Sequence, residues 1–440
     1  MRREGTVFDT FPVHETPRRL ANMSTPTNKA LTAFVGSYSG AGEPGAGGIT
    51  VLAVELDGDT VGLRRTSRVE QPAEAGYLAY SAARGTLYAV DERKTDGRGP
   101  VDPPASVHAF TVDPADGTLC PLNTVASPGP FPTYLALDEP RGLLISANHG
   151  SFEHVEKVER DPDGAWTSRY VYDDSTVVVY RLEEDGSLGA ITDLHVMDGH
   201  GLDPNTSLQA GGHAQSSAHA HSVVVDPSGR FLLVGDKGAD RVLVFRLGAS
   251  LELAYILQTG AETGPRHLAF DPVDGLVFAT FELSSELAVL EFDQASGELR
   301  LVATCSTVAG PVGRTNEPAD VRIHPAGGLV YVNNRGEDTL AWFRWSNGTL
   351  QRLGSVPLAP SIHPGLAARS FALDPSGRTL LLADRPAGLV RAYSVDTQTG
   401  ELAPAGQVNV AEAAFVLLAE LPQTGIRPPQ ASAQPSATFA

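Results

Sequence analysis

The sequence predicts an all-β fold, a β-propeller of four-stranded antiparallel blades, and two observations carry the prediction. The first is an internal repeat. His219, Ala220, His221 and Ser222 lead into an apolar run at 223–225, then Asp226, Pro227, Ser228, Gly229 and Arg230, a second apolar run at 231–234, and Gly235, Asp236, Lys237 and Gly238. A second copy opens on Gly264, Pro265, Arg266 and His267, turns at Asp271, Pro272 and Gly275, and closes on Phe281, Glu282 and Leu283. Each copy is a β-hairpin whose polar residues collect at the end away from its turn. Further copies are marked by His324, Pro325 and Gly328 and by Asp374, Pro375, Ser376 and Gly377, at spacings of about 45 to 53 residues, with weaker ones at 82–85 and 138–142. More strands follow most of the hairpins, as at 241–247 and 339–345. A repeat of this length with four short strands is the signature of a propeller blade.

The second observation is composition. With 45 Gly and 32 Pro in 440 residues and no long run of helical apolar spacing, the chain is more turn-rich than an α/β protein. No single blade could bury a core alone, but a ring of them can. A formal charge of −19 argues against nucleic acid as a partner and leaves room for a small anion held by a local Arg cluster. Cys120 and Cys305 are too few for a disulfide framework or a structural zinc site and read as buried, inert thiols. No run of ~18 apolar residues or signal sequence is evident, so a cytoplasmic protein that does not engage a membrane is expected.

In chain order, residues 1–29 carry Arg2, Arg3, Arg18 and Arg19 without apolar periodicity and are expected to be a disordered extension. Residues 31–38 and 48–55 read as strands. The Gly40, Gly42 and Gly45 between them fit a G-x-G-x-x-G spacing, but Ile49, Val51 and Ala53 alternate as a strand where a dinucleotide site needs a helix, so the loop reads as a hairpin. Residues 151–175, rich in charge, and 196–217, rich in Gly and His, lengthen one blade beyond the repeat and read as functional rim. Residues 414–418 form a last apolar strand, expected to share a blade with 31–38 and so close the ring, because closure removes open sheet edges. The propeller is thus expected over 30–421, followed by a disordered tail, 422–440, in which the sortase-like run from Leu421 to Gly425 is coincidental.

The residues that could do chemistry gather at the polar ends of the hairpins. His219 and His221, two apart at a strand start, project from the same face. Arg266 and Glu282 are expected to lie near one end of the next hairpin, beside those histidines. His or Glu can move a proton or activate water, and Arg offers a fixed fork for a carboxylate, phosphate or developing oxyanion. Each also has a structural reading. Arg266 with Glu282 could be an ion pair only. His213, His219 and His221 suit metal by type but have no carboxylate at a supporting spacing, so hydrogen-bonded channel histidines are the better reading, and no metal or cofactor is expected. Arg322 and His324 could merely be solvated at a blade entrance. Asp226, Asp271 and Asp374 recur at every clear turn and read as turn-formers. Side chains around an open channel are expected to add little to stability.

Several stretches resemble the family of seven-bladed propeller lactonases that includes one type of bacterial 6-phosphogluconolactonase and the fungal carboxy-muconate lactonizing enzymes. They are Phe34 to Tyr38, His219 to Asp226, Gly264 to Phe270, Phe281 to Ser285, Tyr331 to Gly336 and Arg369 to Phe371, within roughly residues 31 to 420. The resemblance implies seven blades. It places catalytic residues at His221, Arg266, Glu282 and Arg335, with His219, Arg322 and Arg369 as substrate-binding neighbours; His267, which opens its repeat beside Arg266, is counted with these neighbours. Where family members carry an Asn-Tyr-x-Gly segment, this chain has Asn148, His149, Gly150 and then the charged insertion.

Three functional classes follow. The first is an enzyme of lactones, hydrolysing a sugar lactone with or without a phosphate, or cyclising a muconate; hydrolysis is preferred by analogy with the bacterial members. The second is a protein-binding propeller, which would expose an aromatic rim that a chain with 7% aromatics does not suggest. The third is a metal-dependent lactonase or redox propeller, which needs carboxylate and Asn ligands converging on the channel. The first is expected, with an anionic small-molecule lactone as partner and the chain a monomer or weak homo-oligomer.

Overall fold

The computed structural model describes residues 31–40, 44–94, 105–202, 214–311, 315–362 and 365–422. Seven four-stranded antiparallel sheets form a propeller. Numbered from the chain start, blade I is Leu31–Ser37, Ile49–Asp57 and Thr60–Val69, completed on its inner side by Ala413–Glu420 near the chain end. Leu31 pairs with Glu420 and Gly36 with Phe415, so the ring closes through hydrogen bonds as expected. The other blades each run from inner to outer strand in chain order, except that blade III inserts a separate two-stranded ribbon, His154–Arg160 with Trp166–Tyr172, between its second and third strands. The inner strands of neighbouring blades contact one another around a closed circuit.

The burial of each strand follows from its place in the blade. Second strands such as Phe231–Asp236 and Leu329–Arg335 are buried at every residue, because both faces are covered by adjacent blades. Outer strands such as Leu402–Asn409 are largely exposed. The hairpin turns are built by the recurring acids. Asp226 Oδ1 accepts from Phe231 N at 2.6 Å and Oδ2 from Ser228 N at 3.0 Å, and Asp374 repeats this with Thr379 and Ser376. His324 takes the same turn position in blade VI, where its Nδ1 accepts from Ala326 N.

The expected burial of the cysteines is corrected: Cys120 is exposed and Cys305 half-buried, both unpaired, because each sits on the outermost strand of its blade. Residues 1–30 and 423–440, together with Gly42 and His213, lie outside the described residues. Among the described residues no helix is long and apolar enough to cross a membrane.

Candidate active site

The inner strands of blades III to VI share one irregularity, and it aims side chains into the channel. Pairing with the second strand slips between Pro132 and Tyr134, Ala220 and Ser222, Pro265 and Leu268, and Pro318 and Val321. The residues left unpaired there are Thr133, His221, Arg266 with His267, and Ala319 with Asp320. A bulge of this kind bends the strand and re-aims its side chains, here toward the axis. Gly235 lets blade V come close: a Cβ there would lie 2.8 Å from the carbonyl oxygen of Arg266.

A second set comes from the residue that ends or follows each second strand. Tyr38, Glu92, His149, Lys237 and Glu282 each donate their backbone N–H back to the chain entering an inner strand, as in Lys237 N to His219 O at 3.0 Å and Glu282 N to Gly264 O at 2.9 Å. Arg335 holds the same place opposite Glu317. The repeat thus delivers one variable side chain per blade to the same end of the ring.

These two sets surround a cavity of 720 Å³, walled by residues that include His149, Phe152, His221, Lys237, Glu282, Glu317, Arg335 and Arg369. A smaller cavity of 280 Å³ between the outer parts of blades III and IV has no comparable convergence of charge. The centre of the wall is Glu282, 2% exposed. Its Oε1 is 2.9 Å from Lys237 Nζ, and its Oε2 is 2.6 Å from Arg266 Nε and 2.7 Å from Arg335 Nη2. Burial alone would raise its pKa, but Lys237, Arg335 and Arg266 outweigh it and hold the carboxyl well below its usual range. The Arg266 contact is one of charge more than direction, since Nε and Nη1 of Arg266 lack an acceptor in hydrogen-bonding geometry. Burial and the neighbouring Arg335 push the Arg266 guanidinium down to about 9, still a cation at neutral pH.

Arg335 Nη2 is shared, 3.2 Å from Glu317 Oε2, and Arg335 Nε donates to the Glu317 carbonyl oxygen at 3.2 Å. Burial raises the Glu317 pKa; Arg335 opposes this in part and the negative Glu282 reinforces it. Arg369 Nη1 donates to Tyr38 Oη at 2.7 Å, its Nη2 lies 3.4 Å from Glu92, and Tyr38 donates to Glu92 at 2.6 Å. Lys237 also lies 5.2 Å from the centre of the Phe152 ring, and burial lowers its pKa against the pull of Glu282.

The histidines are neutral at neutral pH. The ring of His219 stacks on His149 at 4.4 Å and its Nδ1 donates to the His149 carbonyl oxygen at 2.8 Å, while burial pushes its pKa down to about 3. His221 packs edge-on to His149 and 5.3 Å from His267, with Nδ1 buried and unpartnered; burial and Arg266 hold it well below its usual value. His267 Nδ1 pairs with Asp320 Oδ1 at 3.0 Å, and burial brings it down to about 4. Beside this pair, the Tyr77 ring packs at a tilt against Tyr134 and Phe415, with centres 4.1 and 4.2 Å away, and Arg322 pairs with Asp320 at 3.2 Å.

The structure therefore brings His221, Glu282, Arg335 and Arg369 to one cavity, with Arg266 directly behind Glu282. It does not bring His219, His267 or Arg322 to the wall: His219 is packed behind His149, and the other two are engaged by Asp320. The channel side chains were expected to matter little for stability because they would be open; they are instead 1–5% exposed at Arg266, Glu282, Lys237, His221 and Arg335. Sequence reasoning passed over Lys237, Glu317 and Glu92 as site residues. For Lys237 and Glu92 the signal was present, since each holds the repeat position of Glu282; Glu317 had none, because it opens its strand where other blades carry Gly264 or His219. Among the described residues, no group of three or more His, Cys, Asp or Glu is arranged to hold a metal ion.

Comparison with known proteins identifies the family. The family model of lactonases with a 7-bladed beta-propeller matches residues 32–418. The chain belongs to that family. A curated 6-phosphogluconolactonase of Bacillus subtilis is 24% identical over 375 residues, which is 84% of this chain and 92% of that protein. One of Serratia proteamaculans is 28% identical over 350 residues, 78% and 88% of the two chains. The solved structure of a periplasmic gluconolactonase of Pseudomonas aeruginosa superposes with a TM-score of 0.71 at 25% identity, covering 89% of this chain and all of that one.

Proposed function

We propose that the protein is a sugar lactonase that opens the lactone ring with water in the 720 Å³ cavity. The observation that supports this most directly is the wall itself, which sets a neutral histidine and arginine donors on rigid strands around a space of ligand size. Water must add to a carbonyl whose oxygen becomes negative. Arg335 and Arg369, both on the cavity wall, supply donors for that oxygen, and such preorganised donors act where charge develops in the transition state. His221 lines the same cavity as a neutral imidazole, a group able to exchange a proton. Arg266 acts at one remove, by fixing Glu282.

The relatives named 6-phosphogluconolactonase favour a phosphorylated substrate, and with it a cytoplasmic place in the pentose phosphate pathway. One observation favours an uncharged sugar lactone instead. Among the described residues the wall carries Lys237, Arg335 and Arg369 against Glu92, Glu153, Glu282 and Glu317, and each cation is already paired with a carboxylate. A phosphate would enter a wall without surplus positive charge. Proton release on a matched panel of plain and 6-phosphorylated sugar lactones tests both readings. Catalysed opening of at least one is expected, with Arg335→Met lowering turnover by a factor of ~100 to 1,000; no catalysis on any would remove the reading.

A further inference from the structure

Four carboxylates line the cavity, and their surroundings differ enough to separate their roles. Glu282 has both oxygens committed to three cations, all within 2.9 Å. Taking a proton would require it to give up those contacts, so a strong base is not what this arrangement makes. Glu92 is held by Tyr38 and Arg369, and Glu153 sits at the exposed rim with Lys94 3.0 Å away. Glu317 is placed differently. It opens the inner strand Glu317–Ile323, faces Arg335 across the strand pair, and shares with Glu282 a single guanidinium nitrogen, which lies nearer to Glu282 (2.7 Å) than to Glu317 (3.2 Å).

We propose that Glu317 is the general base of the reaction and that Glu282 is the fixed anion that positions Lys237, Arg266 and Arg335. This deepens the lactonase reading and rests on it. In the step assigned, Glu317 takes one proton from water as the water oxygen bonds to the lactone carbonyl carbon. The carbonyl oxygen becomes the oxyanion held by Arg335. When the intermediate collapses, the bond from that carbon to the ring oxygen breaks and the proton on Glu317 passes to the ring oxygen, leaving a hydroxy acid and Glu317 ionised again. Two carboxyls whose environments push their proton affinities apart, as Glu282 and Glu317 do, are the usual sign of divided roles. The charged groups acting on Glu317 include Arg335 on its partner strand, Glu282 and Arg266 from blade V, Lys237 from blade IV and Arg369 at the entry to blade VII.

The test is the pH dependence of kcat/KM on the best lactone of the panel, for the full chain and for Glu317→Gln, Glu317→Asp and Glu317→Ala. The unaltered protein should show an acid limb, activity rising with pH as Glu317 loses its proton. Glu317→Gln should lower kcat by ~100 to 10,000-fold and abolish that limb, and added formate should restore part of the rate of Glu317→Ala. Should Glu317→Gln not fold, Glu317→Asp carries the test, with reduced kcat and a displaced acid limb expected. A folded Glu317→Gln with normal kcat, or an acid limb that survives in it, overturns the assignment and leaves the lactonase reading standing. Failure of the unaltered protein to open any lactone takes both down.

Discussion

Lys237 and Glu282 hold the same position in successive blades and meet at 2.9 Å. One repeat position thus supplies opposite charges to one point, and Arg335, from the next blade, completes the cluster at 2.7 Å. The site's ion pairs are therefore also contacts between blades IV, V and VI, and chemistry and stability are coupled there.

Replacing Glu282 should reveal that coupling. In Glu282→Gln three buried cations lose their common anion, and removing one partner from a buried ionic cluster costs about 3–5 kcal/mol. Thermal unfolding should show the midpoint lowered by several degrees, and turnover should fall as Arg335 loses its anchor. An unchanged midpoint would mean that the cluster contributes nothing to holding the blades together.

The buried histidines predict acid sensitivity. His219 and His267 are held at about 3 and about 4, below the ordinary 6.5, so between about 4 and 6.5 the unfolded chain binds protons that the folded one does not. Stability is then fully present above 6.5 and falls with pH by about 1.4 kcal/mol per unit for each histidine. Glu317, whose pKa is raised by burial, works with opposite sign above the ordinary carboxyl value. Denaturant unfolding at pH 7, 6 and 5 should show falling stability, and substituting both histidines by Gln should reduce the slope, leaving the part contributed by His149 and His221.

Ring closure predicts a sharp boundary for truncation. Deleting residues 411–440 removes Ala413–Glu420, the inner strand of blade I, and bares Leu31–Ser37. Cooperative unfolding should be lost. Deleting 423–440 leaves every described strand in place and should shift the midpoint little; calorimetry of both truncations is the measurement.

The turn acids, unlike the site residues, predict a loss of stability without a loss of turnover. Asp226→Ala loses side-chain bonds to Phe231 N and to Ser228 N and Oγ, at a cost of about 1–3 kcal/mol. Unfolding should register it while kcat on the best lactone stays within about twofold, since the turn lies at the far end of the hairpin from the cavity.

The sequence by itself determined the hairpin repeat and its turns, because these rest on local signals, Asp-Pro-x-x-Gly turns, short apolar runs and their spacing, and closure followed from the need to remove open sheet edges. It also marked which end of each hairpin carries polar side chains, and so His221, Arg266 and Glu282, while Arg335 came from the family resemblance. Tertiary structure alone decided which of them meet. A one-residue slip at the head of an inner strand sends His221 to the cavity wall while His219, two residues earlier, stacks behind His149, and no sequence periodicity records such a bulge. The same holds for Asp320, which draws His267 and Arg322 away from the cavity, and for Glu317, brought to the cavity across the strand pair from Arg335. Charge pairing in a ring depends on contacts between blades about 50 residues apart in the chain, so it is settled only when the blades pack.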